Sequence, residues 1–297
     1  TWPQRMFNIP LLVPIPEALL EGGAERLEIT IYGTSSEGMD LHPFYFGPEA
    51  VLAPAHAARF FAGPGLARFA LGMMAVLAAT LLLAWSFRPR DKEYLWLGLA
   101  CVVIMPTLVL YGFGRPLTGY TFWTMITALS PAIYALFLLL FLRSLLKLSI
   151  VWPVRLYTCA LLGAMGLILA LPPDYTFILS IWSNVVFTAP MSLMILLVMW
   201  LNRRIMAPVD LLVLWGSQSV AIALGIYALY LHIHPAPTRS MHLFHLMPLV
   251  MSLACIWQIL SRLLRSLRQY EALNASLSRT IAEKTNELED SFAKLAH

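Results

Sequence analysis

The sequence predicts a membrane all-α fold: a seven-transmembrane helix bundle, preceded by a partial β-sandwich segment and followed by a coiled-coil helix. Two observations carry this prediction. Of the 297 residues, 59% are hydrophobic and only 12% are charged, whereas about a quarter of the residues in a soluble domain are charged. Seven long apolar stretches also follow one another between Leu66 and Arg265, and none contains a lysine. We therefore divide the chain into residues 1–62, 63–265 and 266–297.

The first part, residues 1–62, shows strand patterns. Residues 27–33 alternate apolar and polar side chains with a period of two, which is typical of a half-buried strand. Residues 8–15 suggest a second strand, which its prolines confine to a sheet edge. Two or three strands are too few for a stable sheet. We therefore expect the C-terminal part of an external β-sandwich sensor domain, with its first half and a signal peptide encoded upstream.

The second part contains the membrane spans. The seven apolar stretches cover residues 66–87, 94–113, 120–142, 152–171, 177–201, 209–231 and 241–264. A hydrocarbon core about 30 Å thick needs roughly 20 helical residues, so each stretch is long enough or nearly so. The connections on the side of the C-terminus carry most of the basic residues, which are Arg88, Arg90, Lys92, Arg143, Lys147, Arg155, Arg203 and Arg204. The positive-inside rule then predicts an external N-terminus and a cytoplasmic C-terminus.

The composition of the spans excludes several classes of protein. No Asp, Glu, Lys or Arg lies near the centre of any span, which argues against an ion-coupled transporter. A retinal receptor is excluded because no membrane span contains a lysine for the Schiff base. The net charge of +4 comes from residues that flank the spans, so it predicts the lipid bilayer and not nucleic acid as partner. No cofactor is predicted. A transporter or channel-like membrane protein with a dimerising tail remains the alternative.

Prolines within the spans are candidate helix pivots. Pro106, Pro190 and Pro248 lie near the middles of spans two, five and seven. A proline inside a helix removes one backbone hydrogen bond and kinks the helix. These residues therefore either allow a conformational change or only shape the packing.

The third part continues the last span as an amphipathic helix. The predicted seam of a parallel homodimer consists of Leu260, Leu263, Leu267, Tyr270, Asn274, Leu277, Ile281, Leu288 and Leu295. Asn274 falls on a seam position, where asparagine fixes the register and the number of strands. Leu277 falls on a d position, and the best seam for the end of the chain places Ile281, Leu288 and Leu295 on d positions as well. The step from Leu277 to Ile281 therefore inserts four residues into the heptad pattern, which is a stutter. A solitary solvated helix is the alternative.

Four histidines form the one chemical cluster of the sequence. His232 and His234 end the sixth span, and His242 and His245 begin the seventh. Gathered imidazoles can bind Zn²⁺ or Cu²⁺, or sense acid. No carboxylate or cysteine accompanies them, and ordinary interfacial histidines are the competing interpretation.

The order of these parts resembles the bacterial seven-transmembrane receptors with diverse intracellular signalling modules, of the sensor histidine kinase type. The resemblance covers essentially the whole chain. It rests on residues 8–16, 19–23, 27–33 and 46–49, and on residues 283–289, which are similar to the linker that precedes a histidine kinase.

This resemblance implies a jelly-roll-like external domain, a small-molecule or carbohydrate-like external ligand, and a location in the bacterial inner membrane. It implies a cytoplasmic output domain after His297, either a histidine kinase of a two-component system or a diguanylate cyclase. Because that domain lies beyond residue 297, no catalytic residue and no enzyme activity are assigned to this fragment.

Overall fold

The computed structural model describes residues 12–15, 46–113, 120–148, 152–170, 184–204, 206–233 and 246–295. These residues belong to two compact units, Thr1–Ser252 and Leu253–His297. Within the described ranges the regular secondary structure is helical and contains no strand. In chain order, the helices are α1 (Glu49–Phe60), α2 (Leu66–Phe87), α3 (Lys92–Phe113), α4 (Tyr120–Leu145), α5 (Trp152–Ala170), α6 (Ala189–Leu201), α7 (Pro208–Ile233) and α8 (Met247–Leu295). Two π-helical turns, Phe61–Gly65 and Asn184–Thr188, precede α2 and α6.

Each of the seven predicted stretches contains one of these apolar helices. By length and composition, four helical segments can cross a membrane: Glu49–Phe87, Lys92–Phe113, Pro208–Tyr227 and Met247–Asn286. Shorter apolar segments occupy the other three stretches: Leu129–Leu145, Val154–Ala164 and Val186–Leu201. The prediction of a membrane all-α protein is therefore confirmed.

The predicted β-sandwich segment requires a correction. Residues 1–62 were assigned to it, but Glu49–Phe60 form α1 and continue through the π-helical turn into α2. Alanine has the highest helix propensity, and the sequence of α1, EAVLAPAHAARF, is rich in it. Residues 12–15 have no regular secondary structure, and the predicted strand over residues 27–33 lies outside the described residues. Support for the sandwich is therefore absent from the described part of the segment.

Helices α2, α3 and α4 form the most closely packed part of the first unit. Gly98 of α3 permits the close approach of α2, because a Cβ atom there would lie 2.9 Å from Cγ and Cδ2 of Leu82. Small alanines line the buried face of α2, namely Ala67, Ala70 and Ala78. In a membrane, where apolar faces gain little from leaving lipid, such small residues hold helices together by close van der Waals contact.

The candidate pivots occupy two kinds of position. Pro106 lies inside α3, as predicted. Pro190 is the second residue of α6, but the π-helical turn Asn184–Thr188 runs directly into α6, so this proline lies within a continuous helical segment. Pro248, predicted near the middle of its span, is the second residue of α8, in the first helical turn, where a proline removes no intrahelical hydrogen bond. Pro131 lies inside α4.

Helix α4 ends in a turn that contains a left-handed residue. Lys147 has a φ of 52°, its N–H donates to the Ser144 carbonyl at 3.3 Å, and the Leu148 N–H donates to the Arg143 carbonyl at 3.0 Å. This pair of bonds is a Schellman motif, whose left-handed position is usually glycine. Lysine there carries a conformational cost that glycine would avoid.

Candidate functional site

A chain of buried hydrogen bonds joins α3, α4 and the beginning of α8. The hydroxyl of Tyr134, on α4, donates to the carbonyl oxygen of Pro248 at 2.9 Å and lies 3.1 Å from Oγ of Ser252. The Cys101 thiol of α3 donates to the same Ser252 oxygen at 3.8 Å. All three side chains are buried. One consistent arrangement of protons follows, from Cys101 to Ser252, from Ser252 to Tyr134, and from Tyr134 to Pro248.

A second buried pair lies one helical turn along α4. The hydroxyls of Thr107, on α3, and Ser130, on α4, are hydrogen-bonded to each other. Thr107 follows Pro106 and Ser130 precedes Pro131, so the bond lies beside an interior proline of each helix. Ser130 and Tyr134 are four residues apart and therefore share one face of α4. We call Cys101, Thr107, Ser130, Tyr134 and Ser252 the hydroxyl–thiol network.

The hydroxyl–thiol network is suited to holding helices and not to chemistry. It contains neutral groups only, so it offers neither a general base nor a metal ligand set. A hydrogen bond between helices of a membrane protein contributes about 0.6 kcal/mol on average. The four bonds of the network together therefore amount to roughly 2–3 kcal/mol. Coupling energies between distant sites in allosteric proteins are of the same size, about 1–3 kcal/mol.

Another contact fastens α1 to the bundle. Arg68 of α2 donates from Nε to the Gly112 carbonyl of α3 at 2.9 Å. Its guanidinium carbon lies 5.2 Å from the ring centroid of Phe60 and 4.9 Å from that of Phe113. Cation–π contacts at such distances are attractive. Because Phe60 is the last residue of α1, Arg68 connects the segment before the first span to α2 and α3.

Two buried side-chain oxygens elsewhere in the described part of the bundle have no hydrogen-bond partner. Among the described residues, Oγ1 of Thr188 and Oε1 of Gln218 are the buried side-chain oxygens without a hydrogen-bond partner. A buried group left unpaired costs about 1–3 kcal/mol.

The predicted histidine site lies largely outside the described residues. His232 lies in α7, though its side chain is outside the described part, and His234, His242 and His245 lie outside the described residues. Within the described part, no group of three or more His, Cys, Asp or Glu is placed to hold a metal ion. The proposed histidine site therefore stays a prediction.

The predicted dimer seam lies on α8. The side chains of Leu260, Leu263, Leu267, Tyr270, Leu277 and Ile281 are 41–64% exposed. Asn274 is exposed too, whereas the side chains of Leu288 and Leu295 lie outside the described part. The predicted seam therefore forms an exposed apolar stripe along α8, and its role in dimerisation stays a prediction.

Sequence reasoning missed the central members of the network. None of its five residues is among the site residues that the sequence predicts. The sequence feature that could have indicated the network is the four-residue spacing of Ser130 and Tyr134, which places both on one face of a largely apolar helix. Their partners could not be found in this way, because they lie on other helices.

These helices define a multi-pass membrane protein, and the neutral network is the kind of site that couples helix positions. Residues 66–260, more than half of the chain, match the family described as 7TM diverse intracellular signalling. The chain belongs to this family of seven-transmembrane receptors, and the matched region is a sensory receptor domain, not a catalytic one. No curated protein and no solved structure matches the chain.

Proposed function

We propose that this chain is the transmembrane part of a bacterial receptor that relays an external ligand or stimulus to a cytoplasmic histidine kinase of a two-component system. The observation that carries the proposal is the continuity of α8. This helix has 49 residues, about 73 Å at a rise of roughly 1.5 Å per residue. Its beginning is bonded to Tyr134, and its later turns carry the exposed apolar stripe.

The proposed relay acts through the position of α8. A stimulus that moves α4 relative to α8 would strain the bonds of Tyr134 to Pro248 and Ser252. Because a helix is stiff along its axis, a rotation or shift of its first turn reaches its far end. The stutter between Leu277 and Ile281 gives the dimeric tail two packings of similar energy. Two such packings are the bistable element that a two-state receptor needs.

The proposed orientation places the N-terminus in the periplasm and the C-terminus in the cytoplasm of a bacterial inner membrane. Exposed arginines on the α2–α3 and α6–α7 connections support it, because basic residues concentrate on the cytoplasmic side. A cysteine introduced at Arg90 should react with an impermeant maleimide only after the cells are permeabilised. Labelling of intact cells at this position would reverse the topology.

We propose that the external stimulus enters the helix bundle through α1. Arg68 connects α1 to α2 and α3, so a force on the segment before α1 reaches the bundle directly. The proposed ligand is a small molecule or a carbohydrate-like compound bound by the external segment.

Disulfide crosslinking tests the dimeric output helix. Cysteines at Leu267 and Ile281 lie on the predicted seam and should crosslink efficiently between two chains in membranes. A cysteine at the neighbouring Arg268 is the matched control and should crosslink far less. Equal crosslinking at the three positions would contradict a parallel seam and, with it, the proposed route of the signal.

A further inference from the structure

An arginine is folded onto a tryptophan at the end of α6. Nη1 of Arg203 donates to the carbonyl of Trp200 at 3.2 Å, and its guanidinium carbon lies 4.2 Å from the centroid of the Trp200 ring. The neighbouring Asn202 donates from Nδ2 to the Val198 carbonyl at 2.8 Å. The last turn of α6 is thus closed by side chains, and the guanidinium is held at a defined place.

The next helix contributes a second ring to the same surface. The centroid of Trp215, on α7, lies 5.7 Å from that of Trp200. Both tryptophans are partly exposed, and Arg204 is exposed beside them. We call Trp200, Arg203, Arg204 and Trp215 the Trp–Arg patch. It combines two cationic side chains with two amphipathic rings across the α6–α7 junction.

The charge of the Trp–Arg patch is not neutralised by the described part of the protein. Neither arginine forms an ion pair with a described residue, and the nearest carboxylate along the chain, that of Asp210, is buried. A guanidinium has five N–H donors in a planar fork that matches phosphate oxygens. Arg203 uses one donor on the Trp200 carbonyl. Tryptophan favours the boundary between headgroups and acyl chains, which is where a lipid phosphate lies.

We propose that the Trp–Arg patch binds the phosphate of an anionic phospholipid headgroup. The two guanidinium groups bind the phosphate diester, and the tryptophan rings contact the glycerol and the upper acyl chains. The bound lipid would connect the end of α6 with α7. Its assignment to the cytoplasmic leaflet rests on the proposed orientation of the receptor, whereas the binding itself does not.

The test uses the full chain in nanodiscs of phosphatidylcholine, with or without phosphatidylglycerol. A nanodisc presents lipid on both faces, so the outcome is independent of topology and of signalling. Phosphatidylglycerol retained after transfer to detergent is counted by native mass spectrometry. We expect wild-type protein to retain it in preference to phosphatidylcholine. Arg203→Gln with Arg204→Gln should lower its affinity by about fivefold for each arginine, the gain of one basic residue at an anionic surface.

Matched variants separate the patch from general charge. Arg88→Gln with Arg90→Gln removes two exposed arginines from the α2–α3 connection and should leave lipid retention nearly unchanged. Trp200→Leu keeps both charges and should still weaken retention. Arg203→Lys keeps the charge without the planar fork, should fold normally and should give an intermediate loss.

Two outcomes would overturn the proposal. Equal losses in the two double-arginine variants would mean that the lipid responds to net charge alone. Thermal protection of the protein in phosphatidylcholine nanodiscs by inorganic phosphate, as strong as that by phosphatidylglycerol, would assign the patch to a soluble phosphate instead. Failure of either kind leaves the crosslinking test of the output helix unaffected.

Discussion

Replacing Tyr134 by phenylalanine removes one oxygen from the centre of the bundle while keeping the ring that fills it. The lost oxygen bonds Pro248 at 2.9 Å and Ser252 at 3.1 Å. At about 0.6 kcal/mol for each interhelical bond, the bundle should lose about 1.2 kcal/mol of stability. The hydroxyl of Ser252 loses its bond to Tyr134 but remains within reach of the Cys101 thiol, which limits the added penalty.

The same loss should alter the balance between receptor states. If the bonds of Tyr134 exist in one receptor state and not in the other, a loss of about 1.2 kcal/mol changes the ratio of the populations of the two states by roughly sevenfold. Stability is measured by unfolding in mixed detergent micelles, and basal output by the activity of a histidine kinase fused after residue 297. Tyr227→Phe, at an exposed position of α7, is the control and should change neither.

A double-mutant cycle completes this test. Because Tyr134 and Ser252 bond each other, Tyr134→Phe and Ser252→Ala together should cost less than the sum of the single changes. The reasoning is refuted if the two changes are additive and if Tyr134→Phe behaves like Tyr227→Phe in both assays.

Three further predictions concern packing, helix termination and register. Gly98→Ala places a methyl group 2.9 Å from Leu82, whereas a methyl group at Gly72 would meet no atom within 4 Å. The Gly98→Ala variant should therefore be less stable than Gly72→Ala by about 1–3 kcal/mol in the same unfolding assay, and equal stabilities would contradict the close contact of α2 with α3. Lys147→Gly should raise stability by about 1 kcal/mol because it relieves a left-handed lysine, and an unchanged midpoint would contradict the assigned turn. Four residues inserted after Leu277 should change basal output strongly, whereas seven should be nearly neutral; identical behaviour would show that heptad register is not transmitted.

The spans could be predicted closely because the bilayer leaves the chain few choices. Residues 94–113 were predicted and Lys92–Phe113 are helical, and residues 152–171 were predicted where Trp152–Ala170 are helical. Without water in the hydrocarbon core, every backbone N–H and C=O must be bonded within the segment, so a long apolar run becomes a helix.

The helix α1 was not predicted because its signals conflict. Alanines favour a helix over residues 49–60, while Pro54 and the turn-rich residues before Gly47 favour interruption. The structure shows that the alanines prevail and that Pro54 is accommodated inside the helix. The helix that follows determines whether such a segment becomes helical, since α1 continues into α2 through one π-helical turn.

The hydroxyl–thiol network could not be predicted for a different reason. Tyr134 and Ser252 are 118 residues apart, and Cys101 and Ser252 are 151 apart. Hydropathy identifies helices but not their neighbours, because lipid and apolar side chains are nearly equivalent surroundings for a leucine. Helix adjacency is set by small residues such as Gly98 and by the polar contacts themselves.

The neutrality of the network has a physical consequence for a receptor. A buried ion pair resists separation strongly, because each charge left alone in the membrane is very costly. A stimulus acts only through the difference in its affinity for two states, commonly 1–3 kcal/mol. Bonds from hydroxyls and a thiol, at roughly 2–3 kcal/mol in total, can be broken and remade within that range. In the proposed relay, the connection of α8 to Tyr134 is therefore strong enough to bias the position of α8 and weak enough for a stimulus to reverse it.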